Sequence, residues 1–167
     1  MMDDSFEISK NPEIFFQKEF DFTKISVENV KLDSHYDEID LYDIVEIHIK
    51  DYDYSNDNFT RRLEKFKTHN GFIHLAGGIT FEICDQKITQ IILRKRYLNR
   101  LMQYGKKEIV DILGKPHKIL KDENLWDNGV DTEILLYKPG SVCFFIDVQT
   151  GKIKEIHIGD LKEKYYK

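Results

Sequence analysis

Four oxygen-bearing side chains at alternate positions, Asp51, Asp53, Ser55 and Asp57, come nearest to a metal site in this 167-residue chain. A calcium loop supplies oxygens at that spacing, because a hard cation needs several carboxylate and carbonyl ligands within one turn of chain. The pattern then departs from such a loop. Asn56 stands where the sharp turn needs glycine, and Arg62 stands where a bidentate glutamate closes the site. A polar, acidic surface loop without metal is the expectation. The six histidines, His35, His48, His69, His74, His117 and His157, form neither a His-x-His nor a His-Glu-x-x-His pair. Cys84 and Cys143 each sit inside an apolar alternating run, where a thiol behaves as a small hydrophobe rather than a low-pKa nucleophile. There is no Gly-x-Ser-x-Gly elbow and no phosphate-cradling glycine loop. These residues predict neither catalysis nor a cofactor.

Charge is the stronger signal. Lys plus Arg number 25 and Asp plus Glu 30, a net of -5. Residues 1–60 hold 16 acids and 5 bases, whereas residues 61–167 hold 14 acids and 20 bases. A surplus of acid in the first part argues against a nucleic-acid binder, which needs cations for phosphates. It fits a basic protein partner, whose approach an acidic surface would steer. The basic run Arg94–Arg100 is expected to act as a connector whose charges answer the acidic part. Mean hydropathy is -0.50, and the longest apolar run, Val142–Ile146, is far short of the roughly 20 residues that span a bilayer. With no secretory h-region at the start and no Cys-x-x-Cys, the expectation is a cytoplasmic protein with reduced thiols and no membrane contact.

Periodicity gives the elements that must position these groups. Residues 78–93 and 141–158 both read as a strand, a tight turn and a second strand, with period-two alternation in the first strand. Aligned with a two-residue gap, Phe81 falls on Phe144, Ile83 on Ile146, Ile88 on Ile153 and Ile91 on Ile156. Upstream, Gly71–Ala76 parallels Glu133–Lys138. Lys107–Leu113 predicts a short amphipathic helix stopped by Gly114 and Pro116, with Asp37–Tyr42, capped by Ser34, as its counterpart. The chain is therefore expected to be one α+β domain over 1–167: a packed N-terminal segment (1–31), repeat one (32–96) and repeat two (97–160). Each repeat would be a helix followed by a three-stranded meander. Ile44–Ile49 reads as an additional strand and Phe59–Phe66 as a helix; Pro12–Lys18 predicts another helix and 22–30 a strand, and Lys162–Lys167 looks loose.

Leu113-Gly114-Lys115-Pro116, followed by Glu133–Lys138, Val142–Asp147 and Lys152–Ile158, resembles the unit of the β-lactamase-inhibitor-like superfamily. The resemblance spans residues 32–158. In the first unit Leu41-Tyr42-Asp43-Ile44 stands near the Leu-Gly-x-Pro position. What it implies is a curled antiparallel sheet whose concave face grips a protein partner, and binding in place of catalysis.

Alternation puts Ile79, Phe81, Ile83, Val142, Phe144 and Ile146 on a helix-covered face. Thr80, Glu82, Cys84, Cys143 and Phe145, with Tyr137 and His157 on neighbouring strands, then fall on the other face. A contact surface is expected from Glu82, Tyr137, Phe145 and His157 there, together with the acids Asp33, Asp37, Asp40, Asp43, Asp51, Asp53 and Asp57. The leading expectation is a non-catalytic binder, such as an immunity or inhibitor protein that sequesters a toxin or enzyme. The alternatives are a small hydrolase or ligand-binding enzyme using Glu82 and His157 in a sheet-face pocket, and a structural subunit of a larger assembly. The partner's identity and the oligomeric state stay open.

Overall fold

The structure, a computed structural model, describes residues 6–8, 24–101, 104–123, 131–137 and 142–159. It is an α+β fold dominated by antiparallel strands. A small sheet comes first: β1 (Phe6–Glu7) runs parallel to β2 (Ile25–Val27), which pairs antiparallel with β3 (Val30–Lys31). The large sheet has eight strands. They are β4 (Ile44–Ile49), β5 (Gly71–Leu75), β6 (Ile79–Cys84), β7 (Lys87–Arg94), β8 (Lys118–Glu123), β9 (Asp131–Tyr137), β10 (Val142–Asp147) and β11 (Ile153–Gly159). Their spatial order is β4-β5-β6-β7-β11-β10-β9-β8, antiparallel throughout. Two four-stranded meanders therefore meet at a central β7–β11 seam.

Each meander has one strand more than expected. Lys118–Glu123 holds only two apolar residues, yet it pairs along its whole length with β9. Ile44–Ile49, read as an addition, is the outermost strand of its meander. Among the described residues three α-helices accompany the sheet: α1 (Phe59–Glu64), α2 (Lys95–Leu101) and α3 (Lys106–Leu113). The helix expected over Asp37–Tyr42 is instead two single 3-10 turns, Tyr36–Glu38 and Leu41–Asp43. Extended backbone at Ile39 and Asp40 separates them, so no continuous helix forms. His35, and not Ser34, caps the first turn, and Asp40 caps the second. The helix expected at Pro12–Lys18 and the segment Lys162–Lys167 lie outside the described residues.

The β6–β7 hairpin turns through Asp85 and Gln86, both at positive φ (50° and 68°), the conformation of a two-residue turn that matches sheet twist. One face of the sheet forms the main core. Phe81, Phe144, Ile73, Ile83, Ile91 and Ile156 are fully buried there. The same cluster takes Tyr97 and Leu98 from α2, Ile109 from α3, Phe66 from the turn after α1, and Ile8, Ile25, Val27 and Val30 from the small sheet. At about 25 cal/mol per Å² of apolar area removed from water, side chains of this size each contribute roughly 1.5–3 kcal/mol. The opposite face holds a separate, smaller apolar cluster of Ile134, Leu136 and Cys143 with Leu120 and Phe145.

Candidate functional site

The acidic part of the chain starts beside the beginning of β7, where Asp33–Tyr36 hydrogen-bond to Gln86 and Ile88, and runs on to one edge of the large sheet. From Asp33 to Asp57 there are nine acids and a single base, Lys50, and this segment builds the outermost strand β4 with the turns before and after it. Short polar side chains fix those turns locally. Asp40 accepts the Tyr42 N–H at 3.0 Å, Asp53 accepts the Ser55 N–H at 3.1 Å, and the His35 ring lies 2.8 Å from the Asp37 carboxylate. The hydrogen bonds from the Ser55 side chain and backbone hold Asp53 below the usual carboxylate range. Asp57 accepts the Tyr52 hydroxyl at 2.9 Å. Asp33 stands 3.8 Å from Lys87, with both side chains well exposed. Asp53 and Asp57 are thus spent on separate turn contacts, and among the described residues no cluster of three or more His, Cys, Asp or Glu is placed to hold a metal ion.

Three apolar side chains stand out of this edge. Leu41 is 56% exposed, Val45 66% and Tyr42 97%. Val45 is the extra residue of a bulge: Ile44 pairs with Leu75 and Glu46 with His74, leaving Val45 outside the ladder. Charge in the sequence points to the acids of this segment as contact groups and not to the apolar residues between them. The available signal was that Leu41 and Tyr42 are large apolar residues in an acidic turn, with no helical or strand period to carry them into the core.

Beside the edge, on the face away from the main core, lies a row of rings. His48 accepts from or donates to the Tyr54 hydroxyl at 2.8 Å, and Phe72 lies between His48 and His74 at centroid distances of 6.1 and 6.4 Å. Burial, aided by the charges of Arg94 and His48 and opposed by Glu46, pushes the His74 pKa down.

Of the residues expected on that face, Glu82, Phe145 and His157 are there, but Tyr137 is not. Tyr137 pairs directly with Val142, and directly paired residues share a face, so it joins the main core. Its hydroxyl donates to the Gly114 carbonyl at 2.9 Å, and burial pushes its pKa up to about 12. Glu82 is 4% exposed, accepts from Thr89 at 3.1 Å and lies 3.7 Å from Lys50. His157 is 9% exposed, stacks on Phe145 at 4.3 Å and meets Glu155 at 3.3 Å. Glu82 and His157 therefore stand in two separate hydrogen-bond groups, divided by β7. Arg94 also reaches Glu155, at 3.3 Å. Burial would raise the Glu155 pKa, but the hydrogen bond and charge of His157, with Arg94 and Lys154, hold it below its usual value. Both cysteines are free. Burial pushes the Cys143 thiol up to about 12, which leaves it without nucleophilic character at neutral pH.

What this arrangement offers is an accessible acidic edge with an apolar centre, next to a sheet face whose polar groups are buried. No family model, no curated protein and no solved structure matches the chain. No helix among the described residues is long and apolar enough to cross a membrane.

Proposed function

We propose that this chain is a non-catalytic protein-binding protein that docks its acidic edge on a basic partner, as an immunity or inhibitor protein does with a toxin or enzyme. One observation carries the reading: exposed Leu41, Tyr42 and Val45 sit within five residues of one another, with Asp37, Glu38, Asp40, Asp43 and Glu46 flanking them in sequence. Stable protein interfaces have an apolar core and a polar rim, and charge on the rim sets approach rate and partner choice. A basic enzyme surface that binds phosphodiesters is the fitting target, because the carboxylates stand where phosphates would bind. The mirrored strand order around the β7–β11 seam supports a reading of the fold as two divergent meander repeats, with Phe81 and Phe144 in matching places. Two free thiols are in keeping with a reducing, cytoplasmic setting.

The test is affinity capture from host lysate at low salt, elution at high salt, and identification by mass spectrometry. A single stoichiometric partner, released by salt and no longer captured by the D40K/D43K variant, is expected. A partner whose affinity is the same at low and high salt would overturn the charge-led reading.

A further inference from the structure

We infer that the chain forms a two-fold symmetric dimer in which β8 of one copy pairs antiparallel with β8 of a second, with Leu120 on the axis. The partner at this end of the sheet is another copy of the chain. The docking reading above concerns the opposite edge, and the two are independent.

β8 (Lys118–Glu123) is the last strand of the eight-stranded sheet, and among the described residues only β9 pairs with it. Alternate N–H and C=O groups along such a strand point away from the sheet, open to a further strand. The two ends of the sheet differ in what they offer. β4 is interrupted by the bulge at Val45 and belongs to a segment with nine acids and one base, so a second β4 would meet it with like charge. β8 keeps one unbroken register, from Lys118 opposite Leu136 to Glu123 opposite Asp131, and its six residues carry two bases and two acids. Among the described residues neither Lys118 nor Lys121 has an ion-pair partner.

Register picks out the second copy. Residues directly opposite in an antiparallel pair share a face, so a two-fold axis must pass through a residue of β8 and not between two. An axis at Lys121 sets two lysines against each other and Leu120 against Asp122. Axes at Ile119 or Asp122 pair only three residues of each strand. An axis at Leu120 pairs five: Lys118 faces Asp122, Ile119 faces Lys121, and Leu120 faces itself. Leu120 already pairs with Ile134 and packs on the small cluster of Ile134, Leu136 and Cys143, so the axis joins two such clusters into one. Ile119, 45% exposed, comes to lie beside the methylene chain of the facing Lys121. Lysine on an edge discourages pairing with an arbitrary strand; with an acid at the facing position it selects this one. The product is a continuous sheet of sixteen strands, eight from each copy, with an acidic edge at both far ends.

Sedimentation equilibrium of the full chain over about 1–300 µM tests this, since one strand per copy makes a small interface that dissociates on the order of 10 µM. The wild-type mass is expected to rise from the 19.9 kDa of one chain to twice that. Lys118→Glu and Asp122→Lys each turn both cross-axis pairs from attraction to repulsion, and each should weaken the dimer about 30-fold. Mixing the two variants restores opposite charge at both pairs, so the mixture should dimerise like wild type although neither component does so alone. That recovery also shows that both variants fold. A wild-type chain that stays at 19.9 kDa throughout overturns the inference, as does a dimer that both variants leave unchanged or a mixture that fails to recover. The docking reading, which uses the other end of the sheet, stands in either case.

Discussion

The two faces of the eight-stranded sheet solve the same packing problem in different ways. Toward the main core, Phe81, Phe144, Ile83 and Ile156 lose all contact with water and meet only other apolar side chains. On the other face, Thr80, Glu82, Gln90 and His157 are also buried, at 1%, 4%, 4% and 9% exposure, yet they are polar. Burying a polar group is favourable only when its hydrogen bonds are replaced. Glu82 has Thr89 and Lys50, and His157 has Glu155 on one ring nitrogen. The side-chain nitrogen of Gln90 and Nδ1 of His157 have no partner. The first face therefore supplies stability, and the second gives part of it back. The exposed apolar side chains Leu41, Tyr42 and Val45 lie on neither of them, but at the acidic edge where the sheet ends.

The contrast can be broken most directly at Phe144 and its neighbour Phe145, which point to opposite faces. Phe144→Ala is expected to cost about 3–5 kcal/mol in urea unfolding, because a full ring leaves a cavity in a core that cannot collapse around it. Phe145→Ala, half-buried in the smaller cluster, should cost clearly less. Equal losses would mean that the two faces are equally packed.

The next largest effect is acid sensitivity through Glu155. Its folded pKa lies below its unfolded value, so its contribution is present above about pH 4.3 and disappears as pH falls through the folded value. Stability should therefore drop as pH falls below about 4.3, and Glu155→Gln should flatten that drop. A variant with the same acid profile as wild type would show that the Arg94–Glu155–His157 group contributes nothing.

Gln90→Leu sharpens the comparison from the polar side. Removing a buried amide nitrogen without a partner, at nearly constant volume, should leave stability unchanged or raise it by up to about 1 kcal/mol. A loss of several kcal/mol by calorimetry would show that the amide is satisfied. The smallest effect is chemical. At about pH 8 a thiol reagent should label Cys84 quickly and Cys143 only after unfolding, given the raised Cys143 pKa and its full burial. Equal labelling rates would mean that the second face opens readily.

Much of this architecture was legible where alternation was strong. Ile79–Cys84, Lys87–Arg94, Val142–Asp147 and Ile153–Gly159 carry apolar residues at period two or in nearly continuous runs, and each is a strand. Lys118–Glu123 was not legible, because a strand held at a sheet edge by backbone pairing needs few apolar side chains. Tyr137 was assigned to the wrong face because the face of one strand relative to the next depends on register. Four residues, 138–141, separate Tyr137 from its partner Val142, a spacing that composition does not reveal. The acidic half of the candidate site was visible as charge. Its apolar centre was not, since exposure of Leu41, Tyr42 and Val45 follows from two short 3-10 turns and a bulge that local propensity does not encode.

The β7–β11 seam has a consequence for how the chain comes together. Within each meander, β4 to β7 and β8 to β11, every strand pairs with one adjacent to it in chain order, whereas the seam joins Arg94 to Glu155 across 61 positions. Loop-closure entropy makes so distant a pairing the slow step, so the two meanders would form as separate early units and zip along this line last. A chain cut between α2 and α3 would leave two fragments, each keeping its own ladders and each offering the other one open strand. The protein is in that sense built as a natural split pair, whose halves could report on each other's presence by reassembling.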